Sequence, residues 1–165
     1  MTHLELLFKD LYQTNYPKVY RLCLGYMKGN STQANELCQE VFIKVWENLS
    51  SFRQESAIST WVYRITVNTC LLYLRKKKDI PVSKLLNNLE SHPEEEENST
   101  VEKEQKLASL YRCIENLNKE NKSIILLELE GIPQKEIAEI MGLNHEAIRV
   151  RIHRIKNELT KCVQK

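Results

Sequence analysis

The sequence predicts an all-α protein of two small helical domains joined by a flexible linker, with a helix-turn-helix in the C-terminal domain. Only four glycines and four prolines interrupt 165 residues, so long stretches can stay helical. Apolar residues recur at helical spacing in both halves. Between the halves, residues 79–101 are rich in Pro, Asn, Ser and Glu, a composition that favours a linker over a packed core. The predicted boundaries are therefore 1–78, 79–101 and 102–165.

Three helices are predicted in the N-terminal half. The first carries an apolar stripe from Leu4 to Leu11, and Pro17 is expected to kink or restart it. The second begins near Ser31, after a Gly-Asn stop signal. A loop follows from residue 50 to residue 59, and Ser59 or Thr60 then caps a third helix that ends in a run of basic residues.

Composition excludes several classes of protein. Five widely spaced cysteines without a C-x-x-C pair favour reduced thiols over a disulfide framework or a zinc site. The N-terminus lacks a signal-peptide pattern, and no apolar run approaches the roughly 20 residues of a membrane span. We therefore expect a cytoplasmic protein without membrane insertion. Phosphate-loop, H-E-x-x-H and nucleophile-elbow motifs are absent, and His145 and His153 lack a third metal ligand, so no enzyme, cofactor or metal is expected.

The segment from Gly131 to Lys161 has the pattern of a helix-turn-helix. Pro133 suits the first turn of a short helix, and Gly142 can adopt the left-handed conformation that ends it. Asn144 then caps a longer helix, whose isoleucines repeat at helical spacing. Helix, glycine turn and capped second helix are typical of modules that read duplex DNA in the major groove.

The charge of the second helix supports DNA binding. Residues 145–165 hold six Lys or Arg and two acids, a local net charge of +4 in a chain of net charge +2. A solvated basic face on an ordinary core helix is the simpler alternative. Base readers are expected near the helix N-terminus, and phosphate contacts on its flank. The predicted duplex-binding residues are Asn144, His145, Glu146, Arg149, Val150, Arg151 and Arg154.

Two segments resemble one protein family. LEGIPQKEIAEIMGLNHEAIRVRIHRIKNEL resembles the promoter-reading domain of extracytoplasmic-function (ECF) sigma factors of the sigma-70 family. QANELCQEVFIKVWENLSSFRQESAISTWVYRITVN, residues 33–68, resembles their other domain. The paired blocks, in this order and with a linker between them, are far more specific than a helix-turn-helix alone. The resemblance implies a non-enzymatic factor that binds core RNA polymerase and promoter DNA and reads the minus-35 element with the helix-turn-helix. It also implies an anti-sigma factor as a candidate partner.

The resemblance also implies a polymerase-binding surface on the second helix. Polar side chains beside an exposed Phe42 or Trp46 would suit docking on a helical coiled coil, since aromatic anchors with a polar rim are favoured at interfaces. Leu37 and Val41 are expected to be core. The predicted contact residues are Asn35, Glu36, Gln39, Glu40, Phe42 and Trp46.

The loop at residues 51–59 and the helix after it resemble the part of the family that opens the minus-10 element and holds an unstacked base. Aromatic and polar groups suit a base, and basic groups suit the strand backbone. Trp61 and Asn68 share a stripe with Ile65 and Leu72, so both could instead be core. The predicted residues are Phe52, Arg53, Ser56, Trp61, Arg64, Asn68, Arg75, Lys76 and Lys77, with Lys78 continuing the basic run.

Departures from the family limit what can be transferred. Asn35 stands where many relatives carry an acid, Leu72 where Asp is common, and His145-Glu146-Ala147 where small residues are usual. The promoter preference therefore stays open, as does the role of the acidic run Glu94–Glu97. Two other classes remain possible, namely a helix-turn-helix regulator that acts without polymerase and a helical protein–protein adaptor.

Overall fold

The computed structural model describes residues 1–78 and 101–165, and within these ranges all regular structure is helical. The all-α prediction is thus confirmed. The predicted acidic run Glu94–Glu97 lies outside the described residues. The helices are α1 (His3–Tyr26), α2 (Ser31–Asn48), a 3-10 turn (Leu49–Ser51), α3 (Ile58–Lys78), α4 (Val101–Glu115), α5 (Lys119–Leu129), α6 (Gln134–Met141) and α7 (His145–Val163).

Helix α1 is continuous through Pro17, so the proline neither ends nor restarts it. It begins with a capping box in which Thr2 and Glu5 exchange hydrogen bonds. Asn15 is buried in its middle, yet its amide is satisfied: Nδ2 donates to the carbonyl of Leu11 at 3.0 Å, and Oδ1 accepts from the Tyr63 hydroxyl at 3.3 Å. Because Tyr63 belongs to α3, this amide ties α1 to α3 inside the core.

Helix α3 begins at Ile58, two residues before the start at Thr60 that a cap at Ser59 implies. The prediction that Ser59 or Thr60 caps this helix is therefore wrong, since both residues lie in its first turn. Their hydroxyls are free to serve another acceptor, and both donate to the carboxylate of Glu136 in α6. Glu136, which is distant in sequence, thus orients the two hydroxyls.

The two halves of the chain pack against each other through the end of α1 and the middle of α5. Gly25 lies so close to α5 that a Cβ on it would stand 2.5 Å from Cδ2 of Leu126. A glycine inside a helix costs about 1 kcal/mol relative to alanine, and this close approach explains its presence here. Next to it, the buried Tyr26 hydroxyl donates to Oγ of the buried Ser123.

Two ion pairs border this contact between the halves. Nε of Arg21 lies 2.7 Å from a carboxylate oxygen of Glu130, and Nζ of Lys28 lies 2.6 Å from one of Glu115. Arg21, Lys28 and Glu115 have exposed side chains, whereas the side chain of Glu130 is only 14% exposed. The pair of Lys28 with Glu115 therefore adds little stability and mainly fixes orientation. Buried residues from both halves form one continuous hydrophobic cluster.

The prediction of reduced thiols is wrong for two of the five cysteines. Cys113 of α4 and Cys162 of α7 form a disulfide whose members are 49 residues apart in sequence. Cys23, Cys38 and Cys70 are free and buried. Hydrogen bonding of the Cys38 thiol to Cys23, together with burial, raises the pKa of Cys38. This thiol therefore stays protonated, as expected for a structural rather than a reactive cysteine.

None of the helices within residues 1–78 and 101–165 combines the length and the apolar character that crossing a membrane requires.

The hydrogen bond between Tyr26 and Ser123 gives a test of the contact between the halves. Ser123→Ala leaves the buried Tyr26 hydroxyl without this partner, and we expect a loss of about 1–3 kcal/mol in the free energy of unfolding. Tyr26→Phe removes that hydroxyl, while Oγ of Ser123 keeps its bond to the carbonyl of Lys119, so a smaller loss of about 0.5–1.5 kcal/mol is expected. Urea denaturation followed by circular dichroism measures both, and the reverse order would contradict the contact.

Candidate nucleic-acid interface

Helices α6 and α7 form a helix-turn-helix. Pro133 stands at the N-cap of α6, one residue before the predicted first turn. Gly142 ends α6 with φ +69°, the left-handed region that a side chain disfavours. The amide of Leu143 donates back to the carbonyl of Ala138 at 3.0 Å and closes the turn. Asn144 then caps α7, its Oδ1 accepting from the amide of Ala147 at 2.7 Å.

Burial along α7 divides the helix into two faces. Its buried residues are Ile148, Ile152, Ile155 and Leu159, at the helical spacing that the sequence predicted. These side chains fix the rotation of α7 and leave its other face to solvent. Six of the seven predicted duplex-binding residues are exposed there: Asn144, His145, Glu146, Arg149, Val150 and Arg154.

Arg151, the seventh, is placed differently. It is half-buried, and its Nη1 lies 2.9 Å from a carboxylate oxygen of Glu120 in α5. Contact with a phosphate would require Arg151 to leave this acid. Lys156 is also engaged, with its Nζ 3.1 Å from Glu128. Two of the basic side chains on α7 therefore help to hold α7 on α5.

Glu146 and Arg149 form an ion pair one turn apart at the start of α7. Hydrogen bonding to Arg149 lowers the pKa of the Glu146 carboxyl. Both side chains lie in solvent, so the pair can exchange for other partners at little cost. The guanidinium of Arg149 is a two-pronged donor and the carboxylate of Glu146 is an acceptor. Groups of these kinds can read the edges of guanine and cytosine, respectively.

The structure adds residues that the sequence did not single out. A depression beside α7 is lined by Gln134 of α6 together with Val150, His153 and Arg154 of α7. Gln134 is the first residue of α6. In the sequence, only its position directly after Pro133 marks Gln134 as the start of a helix, and this position alone does not predict a binding role.

Phe52 and Trp61 lie together where the loop after α2 meets α3. Their ring centroids are 5.0 Å apart, and both side chains are half-buried. Trp61 also packs against the hydrophobic cluster, so the core alternative holds in part. Asn68 is exposed, so the prediction that it could be a core amide is wrong. The two residues share a stripe in sequence but differ in burial.

The remaining loop and α3 candidates are spread over a longer surface. Arg53, Arg75 and Lys76 are exposed, and Ser56 and Lys77 are half-buried. Nζ of Lys77 lies 3.5 Å from Oε1 of Gln33, which orients it toward α2. Half-buried Arg64 is directed toward α6, because its Nη2 donates to the carbonyl of Glu139 at 2.8 Å. The side chain of Lys78 lies outside the described residues.

Helix α2 presents a third candidate surface. Asn35, Glu36, Gln39 and Glu40 are exposed, and Trp46 is 45% exposed with its ring edge-to-face against Phe8. Leu37 and Val41 are core, as predicted.

The prediction that Phe42 contacts polymerase is wrong, since Phe42 is only 3% exposed and cannot form part of that surface. It packs among the rings of Phe8, Tyr12 and Tyr16, beneath the surface rather than on it. Ile43, which the sequence argument passed over, is 56% exposed, one turn before Trp46. An isoleucine beside a buried valine and phenylalanine is read as core from sequence, and only packing shows that it points outward.

The described residues hold no cluster of three or more His, Cys, Asp or Glu side chains able to bind a metal ion. The three candidate surfaces consist instead of hydrogen-bonding, basic, aromatic and aliphatic groups. Such groups are suited to recognising nucleic acid and protein.

Comparison with known proteins identifies two sigma-70 family regions in the chain. Residues 11–80 match the family model for sigma-70 region 2, and residues 107–159 match that for sigma-70 region 4. An ECF RNA polymerase sigma-E factor of Haemophilus influenzae is 34% identical over 157 residues, covering 89% of this chain and 82% of the relative. ECF RNA polymerase sigma factor SigE of Mycolicibacterium smegmatis is 28% identical over 159 residues, and this chain spans 61% of its length.

A sigma factor of known structure has a similar fold. A solved structure of the sigma factor RpoE in complex with the anti-sigma factor NepR, from Bartonella quintana, matches with a TM-score of 0.67. The match covers 95% of this chain and 96% of that one, at 17% sequence identity. At this identity the likeness concerns the fold.

Proposed function

The chain belongs to the ECF group of the sigma-70 family, and from this premise we propose that it binds core RNA polymerase and directs it to promoters. The family consists of non-enzymatic initiation factors, and we infer that this chain likewise contributes binding rather than catalysis. It would act in the cytoplasm, where polymerase and promoters meet. The observation that carries the proposal is the presence, on one chain, of an exposed reader face on α7, an aromatic pair at the start of α3 and an exposed aliphatic and aromatic ridge on α2.

The C-terminal domain, residues 102–165, would read duplex DNA at the minus-35 element. Exposed Glu146, Arg149 and Val150 lie in the first turns of α7, where recognition helices approach base edges. Arg can bridge guanine, Glu can accept from cytosine, and Val can contact a thymine methyl. Arg154, exposed and with no ion-pair partner among the described residues, would neutralise a phosphate.

The N-terminal domain, residues 1–78, would open the minus-10 element. Phe52 and Trp61 provide aromatic surface on which an unstacked base can lie. Exposed Asn68, Arg75 and Lys76 continue along α3 as hydrogen-bonding and cationic groups for the displaced strand. Base capture by stacking suits a site that must hold a strand only after the duplex has opened.

Helix α2 would dock on polymerase. Exposed Asn35, Glu36, Gln39 and Glu40 precede the exposed Ile43 and Trp46 on the same helix. Apolar anchors next to polar groups are usual at protein interfaces. Residues 79–101 would connect the two DNA-reading domains, so binding at one element raises the effective concentration for the other. An anti-sigma protein, as named for the Bartonella quintana sigma factor, would be a further partner.

The proposed function is tested by adding the purified chain to core RNA polymerase and measuring transcription from a library of promoter fragments. We expect a stable complex with core and initiation from a discrete subset of fragments. A chain that binds duplex DNA as a dimer but does not associate with core would indicate a conventional regulator instead. A chain without salt-dependent DNA affinity would indicate an adaptor.

Ile43→Ala tests the docking surface. Truncating an apolar anchor at an interface is expected to weaken binding to core polymerase about fivefold or more. Leu129→Ala is a matched control, because this aliphatic side chain is 53% exposed, close to the 56% of Ile43, but lies on α5. Its affinity for core should stay within about twofold of the parent. Surface plasmon resonance with immobilised core measures both, and equal effects would remove Ile43 from the interface.

Arg149→Ala and Arg154→Ala separate base reading from phosphate binding. Loss of Arg149 is expected to relax preference at one or two positions, by about tenfold in affinity for the preferred base. Loss of Arg154 should weaken binding to all sequences alike and reduce the salt dependence of log K by about one. Selection from a randomised minus-35 duplex measures preference, and anisotropy titrations at several salt concentrations measure the slope. A uniform loss for Arg149→Ala would reassign that residue to phosphate.

A further inference from the structure

Helix α6 contacts the start of α3 through polar groups. Oε1 of Glu136 accepts from Oγ of Ser59 at 3.3 Å and from Oγ1 of Thr60 at 3.0 Å. One turn later in α3, Nη2 of Arg64 donates to the backbone carbonyl of Glu139 at 2.8 Å. Three donors of α3 are thus directed at acceptors of α6.

These donors have the chemistry of a site for a nucleic-acid backbone. Ser59 and Thr60 lie in the first turn of α3, where the helix carries partial positive charge, and Arg64 adds a full positive charge nearby. Hydroxyl and guanidinium groups are common phosphate ligands in protein–DNA complexes. Glu136 supplies a carboxylate where such a strand would supply a phosphate, so the two acceptors are alternatives at one place.

A second contact, between α1 and α5, holds the same arrangement of the two halves. Tyr26 of α1 donates to Ser123 of α5, and Gly25 brings α1 against Leu126. Because Ser123 and Glu136 belong to the same C-terminal half, displacing α6 from α3 is coupled to loosening this contact. Whether Glu136 stays bonded to the α3 donors therefore depends on the whole contact between the N-terminal and C-terminal halves.

The closed arrangement affects the two proposed DNA-reading surfaces unequally. Glu146, Arg149 and Val150 on α7 are exposed while α6 lies against α3. Thr60, by contrast, is 1% exposed, and Arg64 is half-buried. A duplex can reach these three side chains while α6 lies against α3, whereas a single strand must displace Glu136.

We propose, on the basis of the function proposed above, that the chain is autoinhibited by a contact in which Glu136 occupies a binding site for the backbone of single-stranded DNA, formed by Ser59, Thr60 and Arg64. Single-stranded DNA and closure of the two halves compete for these donors. Reading of duplex DNA by α7 stays available in the closed state. The affinity for a single strand is therefore reduced by the fraction of molecules that are open.

The test compares Glu136→Ala with Glu139→Ala in the full chain. Both variants remove one negative charge from α6, but only Glu136 bonds through its carboxylate. Fluorescence anisotropy with a labelled single-stranded oligonucleotide is expected to show about fivefold tighter binding for Glu136→Ala than for Glu139→Ala. With a labelled duplex hairpin the two variants should bind equally.

Ser123→Ala provides a second variant that changes no charge and removes a hydrogen bond to α1 rather than one to α3. It weakens the Tyr26 contact, so it too should tighten binding of the single strand while leaving duplex binding unchanged. Equal single-strand affinities for Glu136→Ala and Glu139→Ala would overturn the proposal. So would parent-like binding by Ser123→Ala, since Glu136 would then act only locally, and so would absence of single-strand binding by every variant.

Failure of the proposed function would be seen elsewhere. It would appear as failure of the parent chain to associate with core polymerase or to initiate at promoters. The contrast between Glu136→Ala and Glu139→Ala does not depend on that assay, because it is measured on the free chain.

Discussion

The close approach of α1 and α5 at Gly25 is the constraint on which the arrangement of the two halves depends. A side chain at this position would meet the side chain of Leu126, so the glycine lets α1 approach α5 without displacing that buried leucine. The approach buries Tyr26 beside Ser123 and lets their hydroxyls bond. A buried hydroxyl without a partner is costly, so this contact is specific as well as apolar. Together with the direct packing of α6 on α3, it sets where the two halves lie relative to each other.

In that arrangement the two proposed DNA-reading surfaces differ in their access to solvent. The isoleucine stripe of α7 faces α5 and α6, so its opposite face points to solvent. The start of α3 faces α6 and has its hydroxyls engaged by Glu136. A factor that reads duplex DNA before it holds a melted strand would use the surfaces in this order. The closed structure is thus compatible with the first step of promoter recognition and opposed to the second.

Sequence reasoning succeeded where local chemistry is decisive and failed where neighbours decide. The glycine turn at Gly142 and the cap at Asn144 were predicted because each follows from the residue itself. Phe42 was expected at a surface, but it is buried because rings from α1 cover it. The disulfide between Cys113 and Cys162 was missed, since a separation of 49 residues carries no spacing signal.

The sequence by itself determined the helical fold, the helix-turn-helix, the exposed polar face of α7 and the family, because periodicity, capping residues and paired sequence blocks are properties of the chain order. The tertiary structure alone decided the state of the start of α3. Ser59 and Thr60 read as caps in sequence, and they became donors to Glu136 only because α6 packs there. The physical reason is that a polar side chain bonds to whatever acceptor the fold brings within reach. That acceptor lies 76 residues away from Thr60 along the chain.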